Sequence, residues 1–159
     1  MKIEIISVGK IKESYFKDGI AEYKKRLGKY CAIEEKTLDD EPIKDMNVEA
    51  LCNEVKRVEG EKILKAINPN SYVIALDLNG EMLDSLEFAK KIDQIFAYKA
   101  GTITFIIGGS LGLSPDVIKR ADYKLSFSRM TYPHKLMKLI LMEAIYRAFK
   151  INNNETYHK

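Results

Sequence analysis

Apolar residues recur with two different spacings along the chain, and the alternation of the two predicts strands and helices in turn. Ile3, Ile5, Ile6 and Val8 form a short β-rich run that stops at Gly9, which is typical of a strand. The next segment carries apolar residues three or four positions apart, as an amphipathic helix does. Continued along the chain, the pattern predicts strands over 1–8, 31–38, 71–78, 102–107 and 123–127, and helices over 13–30, 47–67, 84–99, 115–121 and 133–151.

Two of the predicted strands, 71–78 and 102–107, are almost continuously apolar. Strands of that kind are buried on both faces, as in parallel sheets. Because strands alternate with helices, the predicted fold class is α/β, a mostly parallel sheet flanked by helices, with residues 1–159 forming a single domain. A turn at Asn79-Gly80 is expected to end the third strand.

Ligands of open parallel sheets bind at the carboxyl ends of the strands, which directs attention to three loops. They are residues 76–80, 108–113 and 127–134. The second, in the run IIGGSLGLS, lacks both the GxGxxG spacing of dinucleotide sites and the Lys-Ser/Thr ending of a P-loop. A dinucleotide or triphosphate is therefore disfavoured, and the loop is either a close approach to another ligand or a tight turn alone.

The third loop, in the run LSFSRMTYPHKLM, has the densest chemistry. Arg129 suits either a clamp on a carboxylate or phosphate, or a solvated surface position. Ser128 and Thr131 are alternatively caps of the helix that follows. His134 is one of only two histidines and is either functional or an ordinary residue of the first helical turn.

The predicted last helix is apolar on more than one side, which favours core packing on one side and a subunit contact on the other. It leads into the terminal residues Tyr157, His158 and Lys159. Such a tail is either frayed or a functional element, in which an aromatic ring and cationic groups contact a flipped base and its phosphate.

The charges are segregated along the chain, although their sum is small. The 159 residues hold 26 Lys and Arg against 23 Asp and Glu, a net charge of +3. Residues 1–33 carry +4, 34–70 carry −4, 71–118 carry −3 and 119–159 carry +6. If the two basic ends meet in the fold, they form a positive face suited to phosphate backbones; otherwise the charges only solvate helices.

Cys31 and Cys52 form neither a CxxC pair nor a zinc pattern, and we expect two reduced thiols and no bound metal. Glu4 and Lys10 fall where a signal peptide would be apolar, and no uncharged run is long enough to span a membrane. The predicted location is therefore the cytoplasm, without a membrane partner.

Four stretches of the sequence together resemble one family. They are TFIIGGSLGLS, SFSRMTYPHKLMKLILMEAIYRAFKI, the terminal YHK and the start MKIEIISVGKIKE. The chain resembles, over essentially its whole length, the bacterial ribosomal RNA large-subunit methyltransferase H family, which are small SPOUT (α/β-knot) methyltransferases. The resemblance implies a deep trefoil knot in the C-terminal region and a homodimer whose site takes residues from both subunits.

The same resemblance implies a cofactor, a substrate and site residues. The cofactor would be S-adenosylmethionine, and the substrate N3 of a pseudouridine in 23S rRNA of the assembled 70S ribosome. Carried over residue by residue, the cofactor would contact Leu76, Gly108, Phe127, Ser128, Arg129, Met130, Thr131 and Tyr132.

The catalytic candidates follow from the need to remove the N3 proton and to stabilise the uracil anion. His134 and His158 are the candidate bases, because the ordinary pKa of histidine lies near neutrality. Arg129 or Lys159 would stabilise the anion, and Tyr157 would stack on the base or hydrogen-bond to it. Two other hypotheses stay open: a non-enzymatic ribosome-binding factor, and a related knotted enzyme acting on tRNA or a ribose 2′-hydroxyl.

Overall fold

A computed structural model describes residues 1–159, in which five strands alternate with five helices. The strands are β1 (Lys2–Val8), β2 (Ala32–Leu38), β3 (Tyr72–Met82), β4 (Thr102–Ile107) and β5 (Tyr123–Ser126). The helices are α1 (Ser14–Leu27), α2 (Glu49–Ala66), α3 (Ser85–Tyr98), α4 (Pro115–Arg120) and α5 (His134–Asn152). Every predicted element is present, which confirms the predicted alternation.

The five strands form one sheet in the order β2-β1-β4-β3-β5, and every neighbouring pair is parallel. The predicted α/β class with a parallel sheet is therefore confirmed. In the centre of the sheet, Ile5 of β1 lies opposite Phe105 of β4, and both side chains are fully buried. A slip of one residue would move such side chains to the opposite face, so burial of this kind fixes the strand register.

Helices cover both faces of the sheet. The face that receives Ile3 and Ile5 of β1 is covered by α1, α3 and α5, with α5 packed between the other two helices. The opposite face receives Ile6 and Val8 and is covered by α2 and α4. Each such side chain contributes about 1.5–3 kcal/mol when fully buried, so β1 alone anchors both helical layers.

The end of β3 differs from the prediction, because Asn79-Gly80 does not end the strand, which continues to Met82. Its pairing with β5 shifts register, so that Leu76 and Glu81 both lie opposite Leu125. A Cβ on Gly80 would lie 2.8 Å from the backbone nitrogen of Leu125. The Asn-Gly pair therefore marks a break in strand pairing where two backbones approach closely, instead of a turn.

The multi-sided apolar pattern of α5 is satisfied largely within the chain, because every residue from His134 to Asn152 is buried or half-buried. Its buried side chains contact α1, α3 and the sheet. The apolar pattern of this helix therefore does not by itself require a second subunit, and the expected subunit contact stays a prediction.

Both cysteines are free thiols; Cys31 is buried and Cys52 is half-buried. None of the five helices combines the length and the apolar character that a membrane crossing requires.

Candidate functional site

Three of the candidate cofactor positions converge because their strands are neighbours in the sheet. Ala75 of β3 lies opposite Ile106 of β4, and Leu76 lies opposite Leu125 of β5. Gly108 and Phe127 follow those partners by two residues. Leu76, at the break in the pairing of β3, therefore lies beside the loops that follow β4 and β5, although the predicted loop 76–80 is part of β3 itself.

The loop after β5 is shaped by its own serines. The Ser126 hydroxyl donates to the Ser128 carbonyl at 3.0 Å, and the Met130 N–H donates to the Ser128 hydroxyl at 2.9 Å. The N-cap of α5 is Pro133, without a side-chain hydrogen bond, so the alternative interpretation of Ser128 and Thr131 as helix caps is wrong. Ser128 instead holds a tight turn of the loop.

The two ends of this loop differ in burial. Phe127 is half-buried, and its ring lies edge-on to that of Phe88 at 6.3 Å between centroids. From Arg129 to Tyr132 the side chains are exposed, and Met130 retains 70% of its accessible surface. Leu78, which lies in β3 within the break in its pairing with β5, is also exposed. Large apolar side chains grouped in this way are typical of a surface that a ligand or a partner covers.

The glycine-rich loop after β4 folds back on itself. Gly109 and Gly112 form an antiparallel bridge, and Gly112 has a φ of +84°. A Cβ on Gly108 would lie 2.9 Å from the carbonyl carbon of Gly112 and from a methyl group of Leu113. The tight turn therefore accounts for Gly108 without a ligand, while leaving its backbone beside the other two loops.

His134 begins α5 and packs over Gly9, the residue that follows β1. Its Nε2 atom is buried and has no hydrogen-bond partner. Burial and the charge of Lys135 lower the pKa of His134 below 6.5, so the neutral ring predominates at pH 7. The ring lines a cavity of about 160 Å³ that reaches Gly109 of the glycine loop.

Glu59 of α2 lines the same cavity and was not identified from the sequence. Its carboxylate accepts a hydrogen bond from the Glu41 N–H at 2.9 Å, and burial raises its pKa above 4.5. Glu59 stands midway between the buried residues Val55 and Ile63, four positions from each. That spacing places Glu59 on the buried side of α2, and the same spacing could have identified Glu59 from the sequence.

The C-terminal tail does not join these residues within one chain. The Tyr157 ring packs edge-on against Tyr146 at 5.0 Å, and its hydroxyl donates to Glu143 at 3.1 Å. Burial, with hydrogen bonds to neighbouring side chains, raises the pKa of Tyr157 to about 12, so the phenol stays protonated. The Nδ1 atom of His158 lies 3.3 Å from the Arg147 guanidinium. Arg147 is thirteen residues after His134 in α5, so the two residues are about 20 Å apart along the helix axis.

The two basic ends of the chain do meet, because α1 packs against α5. Many of their cations are held in ion pairs within the fold, however. The pairs are Lys24–Glu35, Arg26–Glu22, Lys135–Glu13, Lys138–Glu35, Arg147–Glu143 and Lys150–Glu155. Arg129 and Lys159 form no ion pair, so the two candidate cations are free to contact a ligand.

The parallel sheet covered by helices places the chain among the open α/β proteins. Proteins of this class bind their ligands at the carboxyl ends of the strands. The family model described as "Predicted SPOUT methyltransferase" matches residues 1–158, and the chain belongs to the SPOUT methyltransferase family.

Several proteins are similar to this chain in sequence over its full length. Proteins named "Ribosomal RNA large subunit methyltransferase H" from Carboxydothermus hydrogenoformans and Exiguobacterium sp. are 56% and 54% identical, each covering 100% of both chains. The relative of the same name from Clostridioides difficile is 53% identical with the same coverage. The solved structure of a probable methylase family protein from Haemophilus influenzae Rd KW20 covers 99% of this chain and 70% of its own, with a TM-score of 0.54 and 18% identity, which supports the fold alone.

Proposed function

We propose that this chain is an S-adenosylmethionine-dependent rRNA methyltransferase that methylates N3 of a pseudouridine in 23S rRNA of the assembled 70S ribosome. The observation that carries the proposal is identity of 50–56% over the whole chain to relatives named as methyltransferases of large-subunit rRNA. The cofactor, the modified atom and the ribosomal context come from the family resemblance. The convergence of the three loops supports the placement of the cofactor.

The side chains around these loops suit a small organic cofactor, since ligand sites are lined mainly by apolar and aromatic groups. Phe127 provides a half-buried aromatic ring, and Leu78, Met130 and Tyr132 provide exposed apolar surface beside the main chain of the loop. We assign Leu76, Gly108 and the segment Phe127–Tyr132 to cofactor binding. When bound, the cofactor supplies an electrophilic methyl group on a sulfonium centre, so the chain's main task is to align it with the acceptor nitrogen and to exclude water.

The acceptor N3–H must lose a proton, and the chain offers two histidines for that step. The lowered pKa of His134 keeps its ring in the neutral form that a base requires. Its Nε2 is enclosed beneath Gly9, however, whereas His158 is exposed on the tail. Whichever histidine is the base, the free guanidinium of Arg129 or the ammonium of Lys159 would stabilise the negative charge that develops on the uracil ring.

We further propose that the enzyme is a homodimer in which the tail of one subunit completes the site of the other. The position of the tail, about 20 Å along α5 from His134, supports this arrangement, since a chain's own docked tail does not reach its own loop. Exposed apolar residues near the proposed cofactor site, Leu78, Met82, Leu86, Met130 and Tyr132, support burial against a second copy. The C-terminal trefoil knot remains a prediction of the family resemblance.

The test is methyl transfer from radiolabelled S-adenosylmethionine to intact 70S ribosomes, isolated subunits and tRNA. We expect label in 23S rRNA of intact ribosomes, at a position where reverse transcription stops because N3 lies on the pairing edge of the base. Arg129→Ala should reduce this activity, whereas Lys99→Ala, an exposed lysine at the opposite edge of the sheet, should not. Label in tRNA or in a ribose would favour the related knotted enzymes, and failure to bind the cofactor at millimolar concentration, measured by calorimetry, would favour a non-enzymatic ribosome-binding factor.

A further inference from the structure

A groove of about 500 Å³ lies between α1 and the edge strand β2, outside the candidate site described above. We call it the lysine groove, because Lys10, Lys17, Lys24 and Lys138 line it, with Glu35 as its only carboxylate. The sheet ends at β2, so no further strand pairs on this side of the groove.

The charges of the groove are not balanced within the fold. The Glu35 carboxylate forms ion pairs with Lys138 at 2.8 Å and with Lys24 at 3.1 Å, so one carboxylate pairs with two ammonium groups. Lys17 forms no ion pair, and Lys10 pairs only with Asp39 at 3.1 Å, where both side chains are more than 70% exposed. Exposed pairs of this kind contribute about 0–1 kcal/mol, which leaves Lys10 and Lys17 available to an external anion.

The groove leads toward the candidate site. Lys10 follows Gly9, the residue over which His134 packs. Close by, the Lys135 ammonium bridges to Glu13 at 2.8 Å and fixes the start of α1 beside the start of α5. From this end the groove follows α1, and Lys24 lies seven residues beyond Lys17, about 10 Å along the helix axis.

We infer that the lysine groove binds the phosphate backbone of the RNA substrate next to the modified nucleotide. The inference rests on the proposed function, because it supplies the backbone contacts of that same RNA. Four lysines with one carboxylate among them, spread over at least about 10 Å of α1, fit several successive phosphates of one strand better than a single anion. The groove walls carry no aromatic ring on which a base would stack, so the contacts fix position and carry no sequence information.

The test compares two double variants that remove the same charge. Lys10→Gln with Lys17→Gln neutralises the groove, and Lys65→Gln with Lys99→Gln neutralises two exposed, unpaired lysines elsewhere. The readouts are KM for 70S ribosomes, KM for S-adenosylmethionine and kcat, each at several salt concentrations. Circular dichroism checks the fold of every variant.

We expect the groove variant to raise KM for ribosomes about 10-fold, with a logarithmic salt dependence shallower by about 1.4–1.8 for two lost phosphate contacts. Its KM for the cofactor and its kcat should match those of the control variant, and Lys10→Arg with Lys17→Arg should restore KM. A groove variant with the ribosome KM and salt slope of the control would overturn the inference. So would competition by millimolar inorganic phosphate, which would indicate a small-anion site, or stronger competition by polyglutamate than by single-stranded RNA of equal charge.

Failure of the proposed function gives a different result. If wild-type protein methylates tRNA and not ribosomes, the rRNA assignment is wrong. The same variants are then compared on tRNA, where a raised KM and a shallower salt slope would still support the groove, and unchanged values would overturn it.

Discussion

The loop after β5 precedes α5 and the C-terminal tail follows it. Two inactive variants, one altered in the loop and one in the tail, test whether one site contains residues of two subunits. The loop variant is Arg129→Glu, and the tail variant combines His158→Ala with Lys159→Ala. All three side chains are exposed, so the substitutions should leave the fold intact. Each variant alone should lose about 100-fold or more in methyl transfer to ribosomes, since it lacks a proposed base or the cation that stabilises the anion.

The expected recovery follows from the geometry. A tail that served its own loop would have to cover about 20 Å and release Tyr157 from Glu143 and Tyr146. If the tail serves the partner instead, a mixed dimer holds one intact site and one doubly altered site. Random assembly makes half of the dimers mixed, so an equal mixture should recover about one quarter of wild-type activity.

The assay co-expresses the two variants with different affinity tags, measures the mixed fraction by sequential purification, and follows methyl transfer to 70S ribosomes. Near-zero activity in a preparation shown to contain mixed dimers would refute the shared site. Full activity of either variant alone would refute the residue assignment. A monomeric protein with high activity would refute both the dimer and the shared site.

Three further predictions concern stability and reactivity. Lys138→Ala should lower the free energy of unfolding by about 2–3 kcal/mol, measured by urea denaturation at pH 7, because Glu35 then keeps only one lysine partner in a half-buried position. Burial alone would raise the pKa of Glu35, but its lysine partners hold it below 4.5, so this difference should be complete above that pH and shrink as the pH falls further. Asp84→Ala should cost about 1 kcal/mol in the same experiment, because the Asp84 side chain caps α3 in a capping box. Burial raises the pKa of Cys31 to about 12, so a thiol reagent at pH 8 should modify Cys52 alone in the native protein and both cysteines in denaturant; modification of Cys31 at the same rate would contradict its burial.

The elements of the fold were predictable because their signals are local. The apolar runs at 71–78 and 102–107 identify strands buried on both faces, and they lie side by side as β3 and β4. The end of β3 was predicted wrongly, because its course depends on contact with β5, more than forty residues later in the chain. An Asn-Gly pair signals irregular backbone, and only the neighbouring strand determines whether that irregularity becomes a turn or a shift in pairing.

The candidate site was predictable only where it depends on local signals along the chain. The rule that ligands bind at the carboxyl ends of strands selected three segments, of which 76–80 is part of β3 and the other two are loops; the sheet order places the three side by side, and their role in binding stays a prediction. Glu59 was missed because a carboxylate within a helix is ordinarily assigned to its solvated side. The separation of His158 from His134 was also not predictable, since it depends on where the last seven residues dock after α5 ends.

The distribution of charge along the chain left open whether its basic ends form one positive face, and the fold determines which of their cations stay unpaired. Within the basic stretch 1–33, Arg26 is paired with Glu22 along α1, and Lys24 shares Glu35 with Lys138. Two cations that form no ion pair are Lys17 in the lysine groove and Arg129 in the loop after β5. Because the groove begins at Lys10, next to the Gly9 over which His134 packs, we expect RNA held by the groove to present a nucleotide to the loop after β5. The groove would then supply RNA-backbone contacts from the same domain that holds the candidate site, and the ribosome affinity should fall steeply with added salt.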